Sequence, residues 1–100
     1  MLNIWLACAG GMSSSMLVEA MKAAAQKQGL ECTIQAISAA SVAKFADNMD
    51  ILLLGPQMSY MQKELKGKYG GQFPIAVINS MDYGMMDGEK VLKAALAMVG

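Results

Sequence analysis

Histidine and arginine are both missing from this 100-residue sequence, and all eight of its basic residues are lysines. Without histidine the chain cannot build a Cys–His or Ser–His nucleophilic pair of its own, or a His-ligated metal site. Without arginine it has no bidentate clamp for a phosphate. Cysteine is scarce: Cys8 and Cys32 are too far apart for a metal or dithiol motif, so neither a disulfide nor a metal is expected. Charge is sparse at 16% and balanced, and no basic stretch is interleaved with aromatics, which argues against nucleic acid as a partner. No apolar run approaches the roughly 20 residues of a membrane span. Met1-Leu2-Asn3 offers no positive n-region for a signal peptide. The expectation is a cytoplasmic protein without membrane insertion and without a cofactor.

What is present is apolar material, 55% of the residues, enough for the core of one domain spanning residues 1–100. Leu2 to Ala7 reads as a buried strand ending at Gly10-Gly11, with Trp5 and Leu6 as core. Met16, Ala20 and Ala24, beside Leu17, Met21 and Ala25, recur every four residues and predict a helix with one apolar face, closed by Gly29. Leu30 to Ile37 alternates as a second strand with Cys32 on its apolar side as a small buried hydrophobe. A short helix capped by Ser41 and running to Asp47, a buried strand from Asp50 to Leu54 and a helix from about Gln57 to Tyr69 follow. A strand from Pro74 to Asn79 and a helix capped by Asp87, with Val91, Leu92, Ala95, Leu96 and Val99 apolar, complete the chain. Most of the eleven methionines are read as core. This alternation predicts an α/β fold: a small, doubly wound, four-stranded parallel sheet with helices on both faces.

In such a fold ligands collect at the carboxyl ends of the strands, and Cys8 lies just past the first one. The loop Cys8-Ala9-Gly10-Gly11-Met12-Ser13-Ser14-Ser15 joins that strand to a helix, so its backbone N–H groups can curl around an anion at a helix N-terminus. Gly10 and Gly11 permit the tight path, while Ser13, Ser14 and Ser15 supply hydroxyl donors and an N-cap. The same field favours a thiolate, which puts the Cys8 pKa below the roughly 8.5 of a free cysteine. Cys8 is therefore the candidate phosphate-handling nucleophile, with Ala9 to Ser15 as its phosphate cradle.

These residues resemble the enzyme IIB component of the lactose and cellobiose type, from the bacterial sugar phosphotransferase system. Cys8 to Ser15 is similar to that family's phosphorylation loop. Leu52-Leu53-Leu54-Gly55-Pro56-Gln57 with Tyr60-Met61 is similar to its third strand and turn, and Tyr83-Gly84 with Asp87-Gly88 to its C-terminal stretch. The resemblance implies that Cys8 accepts a phosphoryl group from a histidine of a separate enzyme IIA. It also implies transfer onward to a sugar, such as cellobiose or lactose, held by the membrane-embedded enzyme IIC. The missing histidine is then explained, because the donor's histidine belongs to another chain.

Two rivals make different demands. Small Cys-dependent phosphatases and arsenate reductases place an arginine six residues after the cysteine, where this chain has Ser14. A non-catalytic anion-binding module would keep its function with Cys8 alkylated. The absent arginine also predicts a phosphocysteine less activated toward water. Met12, at the middle of the loop, is the expected docking contact for both partners, while Lys63, Lys66 and Lys68 read as a solvated helix face.

Overall fold

Parallel strands in the order β2-β1-β3-β4 organise the chain. The computed structural model describes residues 2–8 and 12–99, with residues 12–14 and 99 described by their backbone alone. Its elements are β1 (Leu2–Cys8), α1 (Met12–Lys27), β2 (Cys32–Ser38), α2 (Val42–Phe45), β3 (Ile51–Leu54), α3 (Gln62–Tyr69), β4 (Ile75–Val77), α4 (Ser80–Gly84) and α5 (Gly88–Val99). β1 is the spine, paired from Leu2↔Cys32 to Cys8↔Ser38 on one side and from Ile4↔Ile51 to Ala7↔Leu54 on the other. The doubly wound α/β sheet read from the sequence is the fold observed.

Alternation along β1 sends its side chains into two cores. Ile4, Leu6 and Cys8 pack with Leu17, Val18 and Met21 of α1 and Val91, Leu92 and Ala95 of α5. Trp5 and Ala7 face the opposite way, against Val42, Met58, Leu65 and Phe73. Covered on both faces, the central strands need apolar residues at every position, which is why Ile51–Leu54 reads as an unbroken apolar run. Trp5 stacks on Phe45 with centroids 5.0 Å apart, and its indole N–H donates to the Asn48 carbonyl at 3.3 Å, so the one polar atom of the ring is satisfied.

The four-residue spacing in α1 holds for Leu17, Met21, Ala24 and Ala25, all buried, but Met16 is 60% exposed. It occupies the second turn of a helix that begins where β1 ends, out toward the carboxyl edge of the sheet. Gly29 closes α1 with φ at +70°, and the Leu30 amide donates to Ala25 O at 2.9 Å. The segment expected as one helix from Ser41 is instead α2 between two 3-10 turns, Ala39–Ser41 and Ala46–Asn48. Ser41 makes no side-chain cap there, its hydroxyl lying 3.0 Å from that of Ser38. A 3-10 segment, Pro56–Met61, precedes α3. The sequence reading missed α4, which is capped by Asn79 Oδ1 accepting from the amides of Met81 and Asp82 at 2.9 and 3.2 Å. Asp87 caps α5 as expected, accepting from the Lys90 amide at 3.2 Å. Among the described residues, no helix is long and apolar enough to cross a membrane.

Candidate functional site

β1 delivers Cys8 to the carboxyl edge of the sheet at the point where the strand order reverses, between β1 and β3. In open parallel sheets this switch point opens a crevice for ligands. Ala9, Gly10 and Gly11 lie outside the described residues. Met12, Ser13, Ser14 and Ser15 form the first turn of α1, the amides of Met12, Ser13 and Ser14 have no intrahelical acceptor, and this positive end of the helix begins four residues after Cys8. Because the helix begins at Met12, all three serines fall inside this first turn rather than at a cap. The side chains of Met12, Ser13 and Ser14 lie outside the description, and Ser15 is exposed.

Cys8 itself is 2% exposed, with its side chain counted in the α1–α5 core. The turn after β3 is drawn tightly against it. The Gly55 amide donates to Ala7 O at 3.1 Å, and the Gly55 carbonyl accepts from the Met58 amide at 2.8 Å. A β-carbon at Gly55 would lie 3.2 Å from Cys8 Sγ and 2.8 Å from Gln57 Oε1. Any larger residue would turn the Gln57 amide aside and press on the sulfur by a few tenths of an ångström, so glycine serves here for space and not for its φ of −60°, which is open to any residue.

From the turn after β4, Tyr83 of α4 brings its hydroxyl to 4.0 Å from Cys8 Sγ. Gln57 Nε2 donates to the same hydroxyl at 3.5 Å. Desolvation pushes the Tyr83 pKa up; the Gln57 contact pulls it partly back, while the Cys8 sulfur, by charge and by hydrogen bond, pushes it further up. The tyrosine thus holds its proton through the neutral range. Turns after three of the four strands converge on one sulfur.

Cys32 stands at the opposite end of β1, paired in register with Leu2, whereas Cys8 pairs with Ser38. That span is about 20 Å at the rise of a strand, far beyond disulfide reach. Partial burial raises the Cys32 pKa. Lys63, Lys66 and Lys68 are exposed on α3, and Lys68 lies 3.8 Å from Glu64 with both side chains more than half open to solvent. Such a pair contributes little. Among the described residues, no group of three or more His, Cys, Asp or Glu could hold a metal ion.

Sequence reasoning selected Cys8 and its loop but gave no site role to Gly55, Gln57 or Tyr83. A usable signal was present in Gly-Pro-Gln directly after a fully buried strand, a position where a doubly wound fold again faces its ligand.

Residues 3–94 match the family described as "PTS system, Lactose/Cellobiose specific IIB subunit". The chain is 46% identical over 103 residues to the galactose-specific EIIB component of Lactococcus lactis subsp. cremoris, covering 92% of this chain and 91% of that one. It is 42% identical to the oligo-beta-mannoside-specific EIIB component of Bacillus subtilis, covering 99% and 97%. Among solved structures, the cellobiose-specific phosphotransferase IIB component protein from Borrelia burgdorferi superposes with a TM-score of 0.80 at 39% identity, covering 97% of this chain and 90% of that one.

Proposed function

We propose, because the chain belongs to the lactose/cellobiose-specific IIB subunits of the phosphotransferase system, that it carries a phosphoryl group on Cys8 between two other proteins. The observation that carries this reading is the position of Cys8 at the switch point of the sheet, beside the N-terminal turn of α1. There the free amides of the turn and the helix dipole favour a thiolate and then the anionic group placed on it.

The Cys8 thiol first loses its proton to water. The thiolate then attacks the phosphorus of a phosphohistidine on enzyme IIA. The S–P bond forms as the N–P bond breaks, and the electron pair stays on the imidazole. In the second transfer a hydroxyl oxygen of a sugar held by enzyme IIC attacks the same phosphorus, the S–P pair returns to sulfur and the hydroxyl proton leaves to solvent. Both steps require alignment and charge stabilisation more than acid–base machinery within this chain, which suits a site without histidine. Relatives are named for galactose, cellobiose and oligo-beta-mannosides, and the proposed cargo is a β-linked disaccharide such as cellobiose or lactose.

Exposed apolar side chains support transfer between proteins at this edge. Met16 follows β1, Tyr60 follows β3, and Met81 and Met85 follow β4; all are between 60% and 75% exposed. Among the described residues Met21, Met49 and Met58 are buried and Met61, Met86 and Met98 pack against the core, as expected of most methionines, so the exposed Met16, Met81 and Met85, with Tyr60, stand apart. Their flexible or amphipathic side chains form an adaptable rim on the same edge as Cys8. Enzyme IIA and enzyme IIC would use this rim in turn, from the cytoplasmic side.

Intact-mass analysis after incubation with a phosphorylated donor mixture tests the assignment. Native protein and Cys32→Ser should each gain one phosphoryl group, and Cys8→Ser none of normal lifetime. Modification of Cys32, or loading of Cys8→Ser at the native rate, would remove Cys8 from its role.

A further inference from the structure

An enzyme that moves a phosphoryl group usually meets it with a cationic side chain, and this chain has no arginine or histidine with which to do so. One side chain that reaches toward the reacting sulfur is neutral: Tyr83, 75 residues away in sequence and 4.0 Å away in space. Two details make the contact directional. Gln57 donates an amide proton to the Tyr83 oxygen at 3.5 Å, which occupies a lone pair of the phenol and leaves its own proton to point away, toward Cys8. The missing side chain of Gly55 leaves room for both the Gln57 amide and the sulfur.

At 4.0 Å the hydroxyl is a loose donor to sulfur itself. It stands instead where an oxygen of a phosphoryl group bonded to that sulfur would come within ordinary hydrogen-bonding reach.

We propose that Tyr83 is a catalytic hydrogen-bond donor to the phosphoryl group on Cys8, and that Gln57 is the positioning residue that aims it. This rests on the carrier reading above. No proton changes hands: the phenol remains protonated while the S–P bond forms and breaks, and its O–H strengthens a hydrogen bond to a phosphoryl oxygen as charge gathers there. Burial beside a negative sulfur, which raises the Tyr83 pKa, keeps that donor protonated at neutral pH. A neutral donor suits a carrier for a second reason. It steadies the transferring group less strongly than a guanidinium would, so a loaded cysteine is not driven toward hydrolysis before an acceptor arrives.

The test compares native protein with Tyr83→Phe, Gln57→Ala and the double variant, all in a Cys32→Ser background, by two readouts. The first is the pH midpoint of Cys8 alkylation by iodoacetamide, which needs no phosphoryl donor. The second is the rate of loading from a phosphorylated donor mixture, followed by intact mass. Tyr83→Phe should raise the alkylation midpoint and slow loading by about 10- to 100-fold, the range for losing a hydrogen bond to a charged group. Gln57→Ala should shift both readouts in the same direction by less, and the double variant should match Tyr83→Phe alone. Gln57 is exposed and its truncation leaves the core intact, so this variant serves if Tyr83→Phe does not fold. Native loading by Tyr83→Phe, whatever its alkylation midpoint, overturns the proposal, as does a further loss in the double variant beyond either single change. Failure of native protein to load would instead remove the carrier reading, and the alkylation midpoint would still report whether Tyr83 reaches Cys8.

Discussion

Replacing Gly88 by alanine should separate two helices that now touch. A β-carbon at Gly88 would collide with the Ala20 carbonyl carbon and lie 2.5 Å from the Met21 nitrogen and 2.7 Å from Ala20 Cβ. Two of these three atoms are backbone, so no side chain can rotate away, and α5 must move off α1 by about 1 Å to restore contact distance. A gap of that size forfeits about a quarter to a half of each dispersion contact across it. The residues affected include Leu17, Met21 and Leu92, all fully buried. Overpacking of this kind costs about 1–3 kcal/mol. At the first residue of α5 the helix preference of alanine returns only part of its usual ~1 kcal/mol. A 100-residue domain loses about 4–8 °C of melting temperature per kcal/mol, so thermal unfolding followed by circular dichroism resolves the effect. Gly67 is the internal control: it lies in exposed α3 with nothing within 4 Å of its added β-carbon, and Gly67→Ala should stabilise by about 0.5–1 kcal/mol. A Gly88→Ala protein as stable as native, or shifts of the same sign for both variants, would refute the reasoning.

Asn79→Ala removes the cap of α4 and should cost about 1 kcal/mol. Loading of Cys8 should slow as well, because α4 carries Tyr83, and wild-type loading kinetics would detach that helix from the site. Cys32 has a raised pKa in the folded chain, so between its unfolded and folded pKa values the native state holds the extra proton. Its contribution is therefore complete below the unfolded thiol pKa and is lost as pH rises through the folded one. Urea melts between about pH 8 and 11 should show a decline that is shallower in Cys32→Ser, and identical slopes would contradict this. Met12→Asp should slow transfer from enzyme IIA through charge repulsion and lost contact, whereas the triple change of Lys63, Lys66 and Lys68 to alanine should leave the rate near native. The reverse pattern, measured against donor concentration, would move the interface to α3. Ser14→Arg should shorten the life of the loaded protein in water, and an unchanged hydrolysis rate would sever the link between the absent clamp and that lifetime.

The sheet was legible because its central strands announce themselves: Ile51–Leu54 is apolar at every position, and only a strand covered on both faces needs that. The face of α1 was legible wherever it meets the sheet, and failed at Met16, where the helix has run past the strand ends. Periodicity could not find α4, whose five residues do not complete two turns, although Asn79 is a strong cap residue. The split of the Ser41 segment into α2 and two 3-10 turns was equally hidden, since four to seven residues of mixed polarity specify neither. Cys8 was visible through its local company of glycines and serines. Gln57 is marked only by the Gly-Pro-Gln turn after a buried strand and Tyr83 by nothing local, and both meet the sulfur because β3 and β4 lie parallel to β1 and end at the same edge.

The arrangement of β1 between β2 and β3, roofed on one face by α1 and α5, also governs the order in which this fold can be completed as its chain is synthesised. The strand made first is the one that needs every later segment: β3 must be synthesised to complete its pairing, and α5, spanning Gly88–Val99, to seal the core around Leu17, Met21 and Cys8. Until α5 emerges, a nascent chain exposes an apolar face of α1 and the sheet to water, and the edges of a half-built sheet invite pairing with neighbours. Cys8, translated before all of these segments, is thus among the last residues of the fold to acquire its finished surroundings.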